Sequence, residues 1–440
     1  MTHVGRNIAI IAPPTAGHFN PLAALGTALA DSGAKVTFVH MAEAKSLVPG
    51  SVVGFAGLAH ADDRAGLLAD YYRKLAQPSG PIGLPRMIRG TAAITDLLMR
   101  TLPAALRDLA VDAVIADSAE PAGALVARHL SLPFVTAVTG LPLLRETGVP
   151  PPFVGWSYRT GRWGRFRNGG GYAVSDALLR PITRTVATYA RRWALDPDPR
   201  KQWSERLQIA QCPAALDFPR TALPASFCYG APWRLAEPVD VPLPRDDRPL
   251  VFCSLGSLQG ARRSLFAAMT QACAAVGARA VVAHGGGLSE DEAASLPGEP
   301  LVRAFWRQTR VLPRCSAAIL HGGFNTVLDA LAAGVPIVAV PLAFEQPATA
   351  ARLKRIGAAC VVAPADAGAG KLETALKQVL DDPRYRHAAE RIAKDIAAAE
   401  SLTGTATQVL TALFEDDAVT PETRNRLDLA PCAASGGGPR

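Results

Sequence analysis

Short unbroken apolar runs alternate along this chain with longer stretches in which leucine and alanine recur every three or four positions. Residues 7–12 open on Asn7 and continue as five apolar residues, Ile8 to Ala12. A run so short and continuous predicts a strand covered on both faces. Residues 13–20 mix Pro, Thr, Gly, His and Asn and predict a loop. From Pro21 onward, Leu22, Leu25 and Leu29 share one helical face, with Pro at the first helical position and Gly33 just past the end. Residues 36–40 predict the next strand. A strand, a helix and a strand of these lengths make a βαβ unit, hence a parallel sheet with a right-handed crossover. Strands follow at 113–116 and Phe134–Val138, each beside a helical pattern. Residues 1–230 therefore read as one doubly wound α/β domain.

The pattern breaks at 231–249, where prolines stand at 232, 238, 242, 244 and 249 among charges. That composition predicts a stiff linker between domains. Alternation resumes with strands at Leu250–Ser254, Arg279–Ala283, Ala317–Leu320 and 336–340, and helices near 262–276, 325–333 and Gln346–Ile356. Residues 250–414 thus read as a second doubly wound domain. The polar tail 415–440, with its Gly436-Gly437-Gly438 run, is expected to be disordered after about residue 431. Two such domains facing one another leave a cleft at the carboxyl ends of their strands, where open α/β sheets bind ligands.

Composition agrees with this division. A chain of 440 residues is too long for one ordinary core. Its longest apolar runs, 8–14 and 334–343, fall far short of a membrane span. The amino-terminal run reads as a strand with no cleavage site after it, so a cytoplasmic protein is expected. The seven cysteines are odd in number and contain no CxxC pair, which points to thiols rather than disulfides or a zinc site. The net charge of +8 is uneven: residues 151–202 hold ten Lys/Arg against three acids. There Arg159, Arg162, Arg165 and Arg167 are interleaved with Trp156, Tyr158, Trp163 and Phe166. The stretch is either a solvated face or, through 156–192, a peripheral contact with the inner face of an anionic membrane. Nothing matches a nucleic-acid module, and the oligomeric state is not legible.

The segment richest in chemistry is His321-Gly322-Gly323-Phe324-Asn325-Thr326, between the strand Ala317–Leu320 and a helix. Its glycines let backbone approach a ligand, and the helix start offers free N–H groups and the positive dipole end to an anion. His321, Asn325 and Thr326 add side-chain donors. A capped glycine turn explains the hexapeptide equally well, but its surroundings favour a ligand. Asp329 lies one turn further, where a carboxylate can hold a ribose diol. Glu345 and Gln346 follow the next strand, with an acid and an amide for sugar hydroxyls. Upstream, Phe305 offers a flat face to a base and Gln308 an amide.

Residues 305–346 resemble the donor signature of the UDP-glycosyltransferase family, whose GT-B fold sets two Rossmann-like domains face to face across the active-site cleft. The resemblance implies that Phe305 stacks on the base, although the family usually has Trp there. It implies that Gln308 meets base or ribose, that Asp329 (more often Glu) holds the ribose, and that His321, Gly323, Asn325 and Thr326 hold the diphosphate. Glu345 and Gln346 match the pair that holds the transferred sugar. Ser254-Leu255-Gly256-Ser257 resembles a further loop of the donor cleft. In the amino-terminal half, His18 stands where the family carries its catalytic base, and Asp117 matches the acid that orients it. A neutral imidazole suits proton removal from an alcohol, and a carboxylate on its other nitrogen fixes the tautomer.

The family implies inversion at the anomeric carbon, with UDP-glucose as co-substrate. No cofactor and no metal is expected if helix N–H groups and His321 neutralise the leaving diphosphate. Asp196-Pro197-Asp198 mimics a metal motif but reads as loop acids, and His284-Gly285-Gly286-Gly287 either lines the cleft or is structural. Within the family, the runs 10–14, 254–260, 282–288, 323–330 and 341–347 are most similar to the bacterial zeaxanthin glucosyltransferases, implying a lipophilic acceptor. Macrolide, flavonoid or sterol acceptors are the alternatives; an epimerase and a non-catalytic nucleotide-binding homologue are further ones.

Overall fold

The computed structural model of the chain describes residues 4–50, 52–58, 66–76, 80–235, 243 and 247–415. Its first sheet has seven strands: β1 (Asn7–Ile11), β2 (Lys35–Met41), β3 (Gly54–Leu58), β4 (Ala113–Asp117), β5 (Phe134–Val138), β6 (Gln208–Ala210) and β7 (Phe227–Tyr229). They lie in the order β3-β2-β1-β4-β5-β6-β7. With this sheet go α1 (Ala16–Asp31), α2 (Leu67–Ala76), α3 (Gly80–Asp108), α4 (Pro121–His129) and α5 (Arg162–Arg192). The second sheet has β8 (Leu250–Ser254), β9 (Arg279–Ala283), β10 (Leu301–Arg303), β11 (Ala317–Leu320), β12 (Ile337–Ala339) and β13 (Ala359–Val361), in the order β10-β9-β8-β11-β12-β13. Its helices are α6 (Arg263–Ala275), α7 (Glu290–Ala294), α8 (Gln308–Val311), α9 (Phe324–Ala332), α10 (Gln346–Ile356), α11 (Ala369–Asp381) and α12 (Pro383–Ala398), and α13 (Leu402–Phe414) follows.

Every strand pairing among the described residues is parallel. Helices on both faces explain the unbroken apolar runs: β4, β8 and β11 are buried at every position. Strand order reverses between β1 and β4 in one sheet and between β8 and β11 in the other. The carboxyl ends of those four strands are the switch-point crevices in which such sheets hold ligands.

Three expectations need correction. First, α1 begins at Ala16, not at Pro21, which lies inside the helix. Pro21 has no N–H for the carbonyl of Gly17, yet that carbonyl finds a donor elsewhere, and the helix runs through. His18 therefore rides on the first helical turn instead of in a loop. Second, α9 begins at Phe324, with Gly323 in the capping position. Third, α13 does not stay with the second unit, in which the reading of 250–414 includes it. Its Ala406, Val409, Leu410 and Leu413 complete the core of the first sheet, and Arg206 donates to the carbonyl of Ala412 at 3.1 Å. Of the proline-rich stretch 231–249, residues 236–242 and 244–246 lie outside the described residues, as does the tail 416–440. Six cysteines are free thiols; Cys432 lies outside the described residues.

A buried ion cluster joins the two units. Asp217 accepts from Arg220 Nε at 2.6 Å, from Tyr229 at 2.9 Å, and across the interface from Arg352 Nε of α10 at 2.8 Å. Arg352 also stacks on the Phe218 ring at 4.2 Å. Burial pushes the Asp217 carboxyl upward, but the two guanidiniums outweigh it and hold the acid below its ordinary value. Replacing Arg352 by alanine strips one cation from a buried carboxylate and should cost about 3–5 kcal/mol of stability near neutral pH, read from the urea midpoint. Because the folded acid is the stronger one, the contribution is present at neutral pH and is lost as pH falls from the ordinary carboxylate value through the lowered one. A midpoint unchanged by the substitution would show that the cluster does not carry the interface.

Candidate active site

The β1–β4 switch point carries the first group. Asp117 ends β4, buried, and His18 sits on the first turn of α1, its side chain about a quarter exposed. His18 Nδ1 lies 2.9 Å from Asp117 Oδ2. Thr139, just beyond β5, donates to the same oxygen at 2.7 Å and stands 2.8 Å from Nδ1. With the threonine hydrogen given to the carboxylate, Nδ1 must carry its own proton, which leaves the Nε2 lone pair to accept one. The remaining Asp117 oxygen accepts from the amide of Ala119 at 2.8 Å. Burial pulls the imidazole down, yet the charge and hydrogen bond of Asp117, helped by the charges of Glu345 and Glu120, raise it above its ordinary value. Asp117 is not the cap of α4; Glu120 is, accepting from Ala122 N at 3.1 Å and from Thr95. Burial pushes the Glu120 carboxyl up to about 7.

The second group stands at the β8–β11 switch point. His321 follows β11, and its Nδ1 lies 3.3 Å from the carbonyl of Ser254, the last residue of β8. Burial outweighs that bond and lowers the ring to about 4, so it is neutral with its proton on Nδ1. Facing a diphosphate, Nε2 donates only if it takes up a second proton. Two glycines make room for the ring: a Cβ at Gly256, which has φ +71°, would stand 2.8 Å from Nε2, and one at Gly323 would overlap it. Ser254 is buried and its hydroxyl accepts from Gly256 N at 3.3 Å, whereas Ser257 is exposed. Thr326 is buried in the first turn of α9.

Of the two neighbouring aromatics, Phe305 is 71% exposed, while Trp306 is buried and donates its indole N–H to the Val282 carbonyl at 2.9 Å. Only Phe305 presents a face to a base, and Gln308 opens α8 beside it. Glu345 sits half-buried at the start of α10, and its charge is felt by His18 across the cleft. Burial raises its own carboxyl. The turn before it is strained: Phe344 has φ +56°, which costs a non-glycine residue about 1–2 kcal/mol. Gln346 holds that turn, its Oε1 accepting from Leu342 N and Ala343 N at 2.8 Å each. The side-chain carbonyl of Gln346 is therefore committed to the loop, which leaves its amide nitrogen as the end able to meet a ligand.

Asn325 and Asp329 are engaged within the protein. Asn325 Nδ2 donates to the Gly17 carbonyl at 2.6 Å, and its Oδ1 accepts from Gln211 at 2.8 Å and from Arg234 at 3.3 Å. Arg234 Nε also reaches Asp329 Oδ1 at 2.6 Å, and Nη1 reaches Gln211 Oε1 at 2.9 Å. Sequence reasoning missed Thr139, Gln211 and Arg234. Thr139 had a weak signal, as a polar residue directly after an apolar strand. The other two are brought in by the fold from segments with no motif. Of the remaining candidates, the loop at His284 packs on the loop of Gly256, with Gly285 donating to the Ala304 carbonyl at 2.7 Å, and the carboxylates of Asp196 and Asp198 bond within their own loop. His284 Nδ1 accepts from Leu288 N at 3.0 Å and pins its own loop. Asp198 bonds Arg200, and Asp196 accepts from the amide of Asp198, so both are loop acids. Among the described residues no three His, Cys, Asp or Glu side chains gather as a metal-ligating group.

Arg234 orients the Asp329 carboxylate and adds positive charge beside the α9 amino terminus. If the site takes the nucleoside diphosphate that the resemblance implies, Arg234→Ala should weaken binding of a UDP probe about tenfold while changing kcat by less than about twofold, measured by calorimetry and initial rates. Tighter UDP binding in the variant would mean instead that Arg234 competes with the nucleotide.

Residues 267–413 match the family model described as Erythromycin biosynthesis protein CIII-like, C-terminal domain. The chain is 40% identical over 354 residues to a zeaxanthin glucosyltransferase of Pseudescherichia vulneris, covering 79% of this chain and 84% of that one. It is 37% identical over 355 residues to that of Pantoea ananas, covering 79% and 82%. Among solved structures, the glycotransferase of kitacinnamycin superposes with TM-score 0.74 at 18% identity, covering 93% of this chain and 99% of that one. The glycosyltransferase VinC in complex with dTDP superposes with TM-score 0.66 at 22% identity, covering 93% and 99%. With its two facing parallel-sheet units, the chain is a GT-B glycosyltransferase and belongs to the family that contains these zeaxanthin glucosyltransferases.

Proposed function

We propose that this glycosyltransferase moves glucose from UDP-glucose, with inversion and without a metal ion, to a hydroxyl group of a lipophilic acceptor, zeaxanthin being the acceptor favoured. The observation that carries the reading is the His18–Asp117–Thr139 group, set one hydrogen bond from α9 through Asn325 and Gly17. In this scheme the acceptor hydroxyl gives its proton to His18 Nε2 as its oxygen attacks the anomeric carbon. The bond from that carbon to the diphosphate breaks, and UDP leaves with its electron pair. Amides at the amino terminus of α9, with Thr326 and the Asn325 amide hydrogen not given to Gly17, stabilise the departing charge. Asp329 holds the ribose, Phe305 and Gln308 the base, and Glu345 with the Gln346 amide the glucose.

The acceptor rests on the two zeaxanthin glucosyltransferases at 40% and 37% identity. Such an acceptor resides in a bilayer, so the reading puts the enzyme on the cytoplasmic face of a membrane. Among the described residues no helix is long and apolar enough to cross one.

His18→Ala should lower turnover by about 10²–10⁴ while leaving UDP affinity within about twofold. A variant with near-normal turnover would remove His18 from the chemistry. In the native enzyme the raised imidazole must lose its proton before it can act, so kcat/KM for the acceptor should fall as pH drops through a value above 6.5. Asp117→Asn, which removes the largest stabiliser of the imidazolium, should carry that limb to lower pH. Incubation with UDP-glucose and zeaxanthin in detergent, followed by product analysis, should yield glucosides and free UDP. Transfer only to a macrolide, flavonoid or sterol from the same panel would redirect the acceptor; UDP release without an alcohol acceptor would indicate hydrolysis of the donor, and an epimeric sugar product an epimerase.

A further inference from the structure

The basic, aromatic stretch of the sequence resolves into two populations once its fold is known. Trp156 and Tyr158 face inward: the Trp156 ring packs on Gly171, with the Arg167 guanidinium over it at 4.9 Å, and Tyr158 stacks on Phe218 at 5.4 Å. Trp163 and Phe166 face outward, 84% and 75% exposed. They do not stand alone, because Val174 is 60% and Leu178 39% exposed further along α5. Positions 163, 166, 170, 174 and 178 recur every three or four residues and so form one stripe along the outer face, with exposed Gly170 between its two halves.

Arginine flanks that stripe. Arg162, Arg165, Arg180, Arg184, Arg191 and Arg192 are exposed on the same helix. Its single acid, Asp176, is already paired with Arg145. An exposed apolar stripe edged by unopposed cations is the make-up of a helix lying in the plane of an anionic bilayer. The helix is also tied to the acceptor side of the cleft. Asn168 donates to the carbonyl of Thr147 at 3.1 Å and Tyr172 to that of Val149 at 3.2 Å, both in the connection that begins at Thr139.

We infer that the outer face of α5 docks on an anionic lipid surface, with Trp163, Phe166, Val174 and Leu178 entering the headgroup boundary and the arginines held by lipid phosphates. Docking goes beyond the transfer reaction and stands whatever the acceptor is. The test is co-sedimentation of the full chain with carotenoid-free vesicles of phosphatidylglycerol or of phosphatidylcholine. UDP affinity serves as the control for folding and, read separately, for the transferase reading. Retention on phosphatidylglycerol should exceed that on phosphatidylcholine by about tenfold or more and fall in about 0.5 M salt. The double variant Trp163→Ser, Phe166→Ser, with native UDP affinity, should lose about tenfold in retention. Equal retention of variant and native protein, or equal retention on neutral vesicles, would overturn the inference. So would salt-sensitive binding to a single-stranded oligonucleotide in the absence of any vesicle binding.

Discussion

Pro21 has no amide hydrogen, and that deficiency organises the cleft. In an unbroken helix the carbonyl of Gly17 would be closed off by the residue four positions on; here it is left open on the turn that carries His18. The donor that reaches it is Asn325, from the first turn of α9 in the other unit. An asparagine can do this because its amide offers a donor at one end and an acceptor at the other. Its oxygen is taken by Gln211, which also donates to the Thr139 carbonyl, while the Thr139 hydroxyl touches His18. The path from His18 through Thr139, Gln211 and Asn325 to Gly17 closes on itself. A ring of this kind fixes the candidate base against the helix that would receive the diphosphate, without either unit having to be rigid alone.

Sheet topology decides where the ring can form. Strands buried on both faces hold few polar side chains along their length (Thr136 and His40 are exceptions), and Asp117, Thr139, Ser254 and His321 collect on the carboxyl edges. Strand order reverses between β1 and β4 and between β8 and β11, and each reversal opens a crevice at that edge. The cluster at Asp217 and the return of α13 to the first sheet keep the two edges opposed. The same opposition explains the electrostatics. The charge of Glu345, from the second unit, helps raise His18 in the first, whereas His321 lies buried among glycines with no carboxylate beside it and is held low.

The strands were legible because burial on two faces leaves a periodicity-free apolar run, and residues 305–346 could be singled out as a candidate site because they lie within about one βαβα length of sequence. Local signals misled where a distant group changed their meaning. Pro21 is a sound helix-start cue when nothing satisfies the carbonyl it orphans; Asn325, in the other unit, does. Asp329 reads as a free ribose ligand until Arg234 arrives from the linker to hold it. Gln346 reads as a sugar ligand, yet half of its amide is spent holding the strained turn at Phe344. Gln211 and Arg234 have no local pattern at all, since their partners are fixed only by the packing of the two units.

The acceptor half of the chain illustrates a different limit. Four aromatics interleaved with four arginines gave one undivided signal in the sequence, and helical geometry divides it. Trp156 and Tyr158 precede α5 and fold back to pack against other parts of the protein, whereas Trp163 and Phe166 lie on its outward turns. The two sets then have different physical meanings. The inward pair helps fix the connection between Thr139 and α5, and the outward pair costs solvation unless something apolar covers it. That connection begins at Thr139, which touches His18, and is bonded to α5 through Thr147 and Val149. The surface that most needs an apolar cover and the contact to the candidate base are thus parts of one continuous segment, residues 139–192.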